Sequence, residues 1–508
     1  MFLSVWANWV VTIITVLSTY ILLPYNIHAL GDEGYGTWIL ITSITGYLAL
    51  LSLGAPMASL RYVARYAAEK DFEKLNRALG TFAGMYLSMG VMSLVIGAGL
   101  YFAFSAVYHV PPELLPEARI AFILVVVCVG IGFIQQLPYG IMAAYQDFGV
   151  RNLIMGAAVI LRLGLNLLLV WHWHSLLALA VLNLSIALFE MLTCWIVLRR
   201  RYPQLTIHLR HFDWPMLRQI LSFSLFVMLL SMGSQLSYQT DSLVIGGFLA
   251  LSFIPQYTVA NSLTQYLMEF VAAIAVVVMP NATHLHSSGD QAALQTLFLK
   301  WSKITFSLTL LTGSFLLVLG PRFLGWWLGE EFEGPAGQVL QILIISFLVF
   351  LPARGVAQAI LMGIGKPAAP SIAFAIAGVL NLVLSLWWVR GYGLAGVAWG
   401  TAVPNMLLGF SMIYFACREL SVSPALFARR VVWRPLLGSI PGLGLLWFAR
   451  TTLDVHGLIP LMLSGFALVG VFALVWVGFV YRGDPDIELK NWLASQLRFR
   501  TRTADSAP

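Results

Sequence analysis

Residues 337–363 read GQVLQILIISFLVFLPARGVAQAILMG. The run is dominated by apolar residues and holds one ionisable side chain, Arg354. A stretch of about 20 such residues can cross a bilayer as a helix, because a helix satisfies its own backbone where no water can. Runs of the same kind cover 5–28, 37–59, 80–109, 118–140, 150–171, 176–198, 219–248, 255–282, 302–320, 369–389, 394–416, 433–450 and 457–481. With 337–363 they make about fourteen spans. Of the 508 residues, 59% are hydrophobic and only 10% are charged, against roughly 25% charged in an average soluble domain. A soluble protein, a disordered chain and a disulfide-rich secreted domain are excluded on that count. The expectation is an all-α integral membrane protein, multi-pass, with little chain left for a soluble domain.

Charge sets the predicted orientation. With the N-terminus inside, the inner connections hold Arg61, Arg65, Lys70, Lys74, Arg77, Arg151, Arg199, Arg200, Arg201, Arg210, Arg218, Lys300, Lys303 and Lys366. Arg418, Arg429, Arg430, Arg434 and five basic residues of the tail follow on the same side. The outer connections hold only Arg119, Arg322, Arg390 and Arg450. Lysine and arginine accumulate on the cytoplasmic side of membrane proteins, so both termini are expected in the cytoplasm. The same rule reads the net charge of +7 as membrane anchoring, with no nucleic-acid partner.

The two halves echo each other. Leu137-Pro138-Tyr139-Gly140, then Gly149, then Leu165-Asn166-Leu167 match Leu351-Pro352-Ala353-Arg354-Gly355, then Gly365, then Leu380-Asn381-Leu382, 214 to 216 residues on. Tyr35-Gly36-Thr37 is matched by Tyr257-Thr258-Val259. An offset of six spans preserves orientation, which predicts a parallel repeat, and transporters commonly bind substrate between repeats. The expected organisation is an N-terminal lobe over 1–214, a C-terminal lobe over 215–418, two further spans over 419–481 and a cytoplasmic tail over 482–508.

Five ionisable residues fall inside the apolar runs: Arg162, Glu190, Asp241, Glu269 and Arg354. Each costs roughly 2.5–3.5 kcal/mol to insert, so each needs a partner or a water-filled cavity. Arg162 and Glu190 lie on an adjacent hairpin and are candidates for a structural ion pair. Glu269 and Arg354 lie deeper, about 20 and 25 Å from the outer ends of their spans at the helical rise, and favour a cavity. Asp241 follows the polar run Ser234, Gln235, Ser237, Tyr238, Gln239 and Thr240, which must face a helix partner or water. Tyr257, Asn261, Gln265 and Glu269 recur every four residues, a slowly winding stripe along one helix. Asn8, Thr12, Thr15 and Thr19 form a weaker, uncharged stripe. Interhelical hydrogen bonding is the structural alternative for both stripes.

Other features carry ordinary readings. Cys128, Cys194 and Cys417 are isolated in apolar runs and support neither a metal site nor a disulfide frame. His172 and His174 sit between tryptophans in a short outer loop and read as an interfacial aromatic belt. The segment from Arg61 to Arg77 reads as a solvated helical extension of the second span. No phosphate-binding loop or hydrolase motif occurs in the sequence, so no enzymatic activity and no cofactor are expected.

The stretch from Leu30 to Asp71 reads LGDEGYGTWILITSITGYLALLSLGAPMASLRYVARYAAEKD. Leu30-Gly31, Glu33, Tyr35-Gly36, Leu53-Gly54 and Arg61-Tyr62 resemble the first-hairpin signature of the polysaccharide-transporter (Wzx-type) flippases, which share a superfamily with the multidrug and toxic-compound (MATE) exporters and the lipid II flippases. Asp241, Gly246, Tyr257 and Ala260-Asn261 resemble that family's seventh and eighth spans. The resemblance implies a MATE-like bundle of two pseudo-symmetric six-helix lobes plus two extra helices in the bacterial inner membrane. The substrate it implies is a polyprenyl-pyrophosphate-linked oligosaccharide, moved by alternating access for surface polysaccharide assembly, with a polysaccharide polymerase as an expected partner. A pyrophosphate suits arginine, so Arg354, Arg162 and Arg61, with Asn261 and Gln265, are the candidate substrate residues. Asp241, Glu269 and Glu190 are the candidates for coupling to an H⁺ or Na⁺ gradient. The alternatives are an ion-coupled multidrug exporter, a lipid II flippase, and a membrane-embedded polysaccharide polymerase or ligase. The last generally carries a large outer loop, whereas the longest outer connection here runs only from about Gly320 to Gly337.

Overall fold

The computed structural model describes residues 2–52, 54–218, 232–233, 235–236, 239–485 and 487, with the backbone alone at 2–9, 12, 13 and 105. Every regular element among the described residues is helical. The chain divides into two compact units, Met1–Pro255 and Gln256–Pro508. That division follows local packing, whereas the lobe boundary expected after residue 214 is defined by repeat symmetry.

The first unit runs α1 (Phe2–Gly46), a 3₁₀ turn (Tyr47–Ser52), α2 (Ala55–Ala68), α3 (Phe72–Val107), α4 (Leu115–Ala144), α5 (Phe148–Trp173), α6 (Leu176–Arg201) and α7 (Thr240–Phe248). The second holds α8 (Phe253–Ser287, which begins just before the boundary), α9 (Gln291–Val318), α10 (Gly320–Leu328), α11 (Pro335–Pro352), α12 (Gln358–Gly363) and α13 (Ala368–Glu419). It ends with α14 (Pro424–Phe427), α15 (Arg434–Thr451) and α16 (Leu458–Val475).

Two of these helices are too long for one crossing. At 1.5 Å per residue, α1 and α13 would reach about 68 and 78 Å, more than twice the roughly 30 Å of hydrocarbon. Each is broken at a glycine: Gly31 has φ 69° and ψ 167°, and Gly393 has φ 55° and ψ −133°. A residue with a Cβ is strained at both angles. Each break falls between two spans expected from the sequence. The described chain has 11 helical stretches long and apolar enough to cross a membrane, and two of them are of this double length. The span expected at 219–248 lies largely outside the described residues.

In the first unit, α4 packs against α3 and α6, and α1 against α5. Tyr62, Phe82, Tyr86, Phe133, Leu137 and Ile141 form the core where α2, α3 and α4 meet. Gly36 is fixed by contact rather than by dihedral angle. A Cβ there would lie 2.2 Å from the carbonyl oxygen of Leu251, so the Tyr35-Gly36 signature marks a close backbone crossing. In the second unit, 72% of the most apolar window of the Pro335–Gly363 stretch is buried, against 11% for Leu458–Val480. The stretch containing α11 is therefore internal and α16 is peripheral, with its apolar side chains left for lipid.

Two expectations need correction. The Arg61–Arg77 segment is not one extension of the second span. It is α2, a turn with Lys70 at φ 56°, and the first turns of α3, capped by Asp71, which accepts from the Lys74 amide at 3.0 Å. Its charges do face out, in the exposed pairs Arg65–Glu69 and Arg77–Glu73. Lys303, assigned to an inner connection, is instead buried inside α9 and ion-paired with Asp484.

Candidate functional site

In the second unit the site begins with Pro352. Proline has no N–H to give to the preceding turn and its ring crowds the carbonyl there. Directly after it, residues Ala353–Ala357 form a π-helical turn, and the Gln358 N–H bonds back to the Ala353 carbonyl. Such bulges recur at functional sites. Arg354 is carried on this bulge. Its guanidinium carbon lies 4.9 Å from the centre of the Phe374 ring and 6.0 Å from that of Phe350. Among the described residues it has no ion-pair or hydrogen-bond partner. Aromatic faces stabilise a cation without consuming its donors, so the N–H groups of Arg354 remain available to an anion.

The bulge is seated against α8 and α9. A Cβ on Gly355 would lie 2.5 Å from Val271 Cγ1 and 3.5 Å from Thr305 Cγ2. Glu269, two residues before Val271, leaves α8 about 160° away from it. It is exposed and makes no ion pair with Arg354 or with any other described residue.

The four-residue stripe on α8 divides along its length. Tyr257 is buried, with its hydroxyl 3.2 Å from Thr401 Oγ1, and Asn381 donates to the same oxygen at 2.8 Å. Asn261 is also buried, and its carbonyl and side-chain oxygens both accept from Thr264. Gln265 is half-buried and Glu269 is exposed. The end carrying Tyr257 is thus helix-to-helix bonding, as the structural alternative has it, and only the Gln265–Glu269 end is open.

In the first unit the expected Arg162–Glu190 pair is absent. Glu190 instead accepts a 2.6 Å hydrogen bond from Gln135 Nε2 on α4. Arg162 is exposed on α5 with no ion-pair partner among the described residues. Adjacent antiparallel helices put the two residues within reach, but their side chains leave different faces. Asp241 is buried in the first turn of α7. The neighbouring Thr240 hydroxyl lies 2.6 Å from the Tyr47 hydroxyl, and Gln235 donates to the Gly46 carbonyl at 2.9 Å. This part of the polar run faces the end of α1. Ser234, Ser237 and Tyr238 lie outside the described residues. Arg61 is exposed on α2. Of the uncharged stripe on α1, Thr15 and Thr19 donate to carbonyls four residues back in their own helix, and the side chains of Asn8 and Thr12 lie outside the described set.

Two further features have no local signal in the sequence. Gln135, the partner of Glu190, is one neutral amide in an apolar run. Lys303 and Asp484 are 181 residues apart. A third feature is an apolar groove of about 630 Å³ bounded by α8, α9, α10 and α16, with Leu267, Phe270, Phe315, Phe323, Met462 and Phe466 on its walls. No group of three His, Cys, Asp or Glu among the described residues is placed to hold a metal ion.

A multi-pass membrane protein with broken helices and lone charges inside its spans has the construction of a transporter. The fold is MATE-like. It superposes on a multidrug resistance MATE family transporter of the MOP superfamily in an inward-facing conformation, with TM-score 0.69, 19% identity, and 80% of this chain and 94% of the other covered. It superposes equally on the lipid II flippase MurJ in an inward closed conformation, with TM-score 0.69, 14% identity and coverage of 92% and 98%. A family model described as "Polysaccharide biosynthesis protein" matches residues 5–286, and the chain belongs to that family. Among its relatives, the "Putative O-antigen transporter" of Shigella flexneri is 20% identical over 79% of this chain and 94% of its own length. The "Probable low-salt glycan biosynthesis flippase Agl15" of Haloferax volcanii is 23% identical over 54% of this chain and 57% of its own length.

Proposed function

We propose that this protein is a flippase, which moves a polyprenyl-pyrophosphate-linked oligosaccharide across the bacterial inner membrane by alternating access, for surface polysaccharide assembly. The observation that carries this reading is Arg354. It is a permanent cation on a π-bulge inside an internal helix, held by two aromatic faces with its donors unspent. Arginine is suited to forked hydrogen bonds with phosphate oxygens. The apolar groove along α16 supports the reading, because it offers a hydrocarbon tail a surface apart from the charge. The names of the glycan flippase and the O-antigen transporter among its relatives agree with a lipid-linked glycan as cargo.

In this scheme Arg354 contacts the pyrophosphate, Gln265 contacts its polar neighbourhood, and Arg162 and Arg61 present further positive charge in the first unit. Glu269 and Asp241 are the carboxylates for an H⁺ or Na⁺ gradient, and Glu190 is a weaker third because Gln135 already engages it. Both termini lie in the cytoplasm, and a polysaccharide polymerase receives the product. The test is a strain lacking the gene. Its polyprenyl-pyrophosphate oligosaccharides are extracted and their leaflet determined. Accumulation of a complete repeat unit on the cytoplasmic face, reversed by the wild-type gene and not by Arg354→Ala, is the expected result. Normal surface glycan with no accumulation would refute the reading.

The exposed carboxylate of Glu269 favours a second reading, an ion-coupled exporter of cationic drugs. Efflux of a cationic dye that needs Glu269 and is indifferent to Arg354 would select it.

A further inference from the structure

A cation-rich cavity lies at the start of α15, built from groups that no part of the transport reading uses. Its floor is Lys303 of α9 bound to Asp484, with side-chain exposures of 1% and 2%. Its rim is Leu426, Arg429, Arg430 and Arg434, and it encloses about 310 Å³. Asp484 is the one acidic side chain on its wall among the described residues. Three guanidinium groups line this one volume. Arg429 and Arg434 have no ion-pair partner among the described residues.

The local backbone explains how they converge. In an α-helix, at about 100° per residue, Arg429 and Arg434 would point about 140° apart. Residues Ala428–Trp433 instead form a π-helical turn. At about 4.4 residues per turn, the three arginines fall within an arc of about 80°. The turn leads directly into α15, which begins at Arg434 and is part of the membrane-crossing stretch Pro424–Thr451. Trp433 beside it is 61% exposed, as aromatic residues at the edge of the hydrocarbon are. The guanidinium groups are thus at the end of a span, the position at which basic pockets between helices hold anionic headgroups.

We propose that this cavity binds a phosphate ester at the membrane surface, with an anionic lipid headgroup as its source. Arg429 and Arg434 make forked, charge-assisted bonds to the phosphate oxygens, and the buried Lys303–Asp484 pair holds the floor in place. Because the site is separate from Arg354, its test does not depend on what the protein transports.

The experiment uses the full-length protein purified in detergent. Lipid retention is read by native mass spectrometry and thermal stability by fluorescence. Phosphatidylglycerol, cardiolipin, phosphatidylcholine and inorganic phosphate are added separately. Phosphatidylglycerol or cardiolipin should bind and raise Tm while phosphatidylcholine does not. R429Q/R434Q should weaken that binding by about tenfold or more. R429K/R434K should retain an intermediate affinity, because it keeps charge and loses the fork. R199Q/R200Q, in a different basic run, should bind as the wild type does. Stabilisation by inorganic phosphate alone, with the same sensitivity to R429Q/R434Q, would support the site with a soluble anion as its source. Equal binding of phosphatidylglycerol and phosphatidylcholine would overturn the proposal. So would unaltered binding in R429Q/R434Q, or an equal loss in R199Q/R200Q. If the double variant does not fold, R429Q alone, at an exposed position, decides the same question.

Discussion

Arg354 and Glu190 are both ionisable residues inside apolar runs, yet the structure gives them opposite situations. Arg354 rests on Phe350 and Phe374 with its donors unspent, whereas Glu190 is satisfied by Gln135. Truncating Arg354 should therefore remove function without removing fold. Arg354→Ala is expected to lower the flipping rate about 10- to 100-fold, the range for losing a hydrogen bond to a charged group. Membrane abundance, read by immunoblot of the same membranes, should stay at the wild-type level. Arg354→Lys should recover part of the rate. For Glu190 the expectation is reversed. Gln135→Leu strands a carboxylate in a span and should destabilise by about 1–3 kcal/mol, seen as a lower thermal midpoint in detergent. Glu190→Gln, which needs less from its partner, should be tolerated. Hydropathy makes both positions visible in the sequence. It does not say which face each side chain leaves from, and that is why the expected Arg162–Glu190 pair was not found.

At the scale of the helix, glycine and proline decide the shape. Gly393 lets one 52-residue helical run turn back as two spans at φ 55° and ψ −133°. Gly393→Ala forces a Cβ into that conformation at a cost of about 1–3 kcal/mol. The expected result is a lower thermal midpoint, whereas Gly391→Ala, two residues away with open space around it, should change little. Pro352 stands directly before the π-turn that carries Arg354, and its replacement tests whether the two are linked. Pro352→Ala should let a regular helix form and reduce flipping while leaving stability intact or improved. A lower rate together with lower stability would show that the bulge holds the packing rather than the site. The helices themselves were legible because each membrane helix closes its own backbone bonds, so the signal is local. The gaps at 29–36 and 390–393 were legible between apolar runs, whereas the left-handed turns at Gly31 and Gly393 came only with the structure. The π-turns were not legible, because no local residue pattern marks where a helix widens by one residue. Gly36 shows a third case. It stood out within a motif, and only Leu251 on the facing backbone gives the reason for it.

For the whole molecule, the apolar runs give the number of crossings and leave their long-range pairings open. Lys303 and Asp484 illustrate the limit, since either alone reads as a solvated charge near a span end. Together they are a buried pair between α9 and the segment that follows the last span. Removing one member of such a pair costs about 3–5 kcal/mol, whereas replacing both with apolar residues is often neutral or stabilising. Lys303→Met and Asp484→Leu should each lower the amount of folded protein, and the double variant should restore it. Recovery of monodisperse protein on gel filtration is the measure. A double variant as poor as the worse single one would mean that the pair contributes packing rather than charge compensation.

That pair also sets a timetable for biosynthesis. The lysine enters the bilayer with α9, and its counter-charge is translated 181 residues later. At about 5–20 residues per second, the delay is roughly 10–35 seconds. During that interval the growing chain carries Lys303 without the carboxylate that it binds in the folded protein. The last contact of this buried cluster is thus made only after every span has been translated, and a chain ending before Asp484 lacks it.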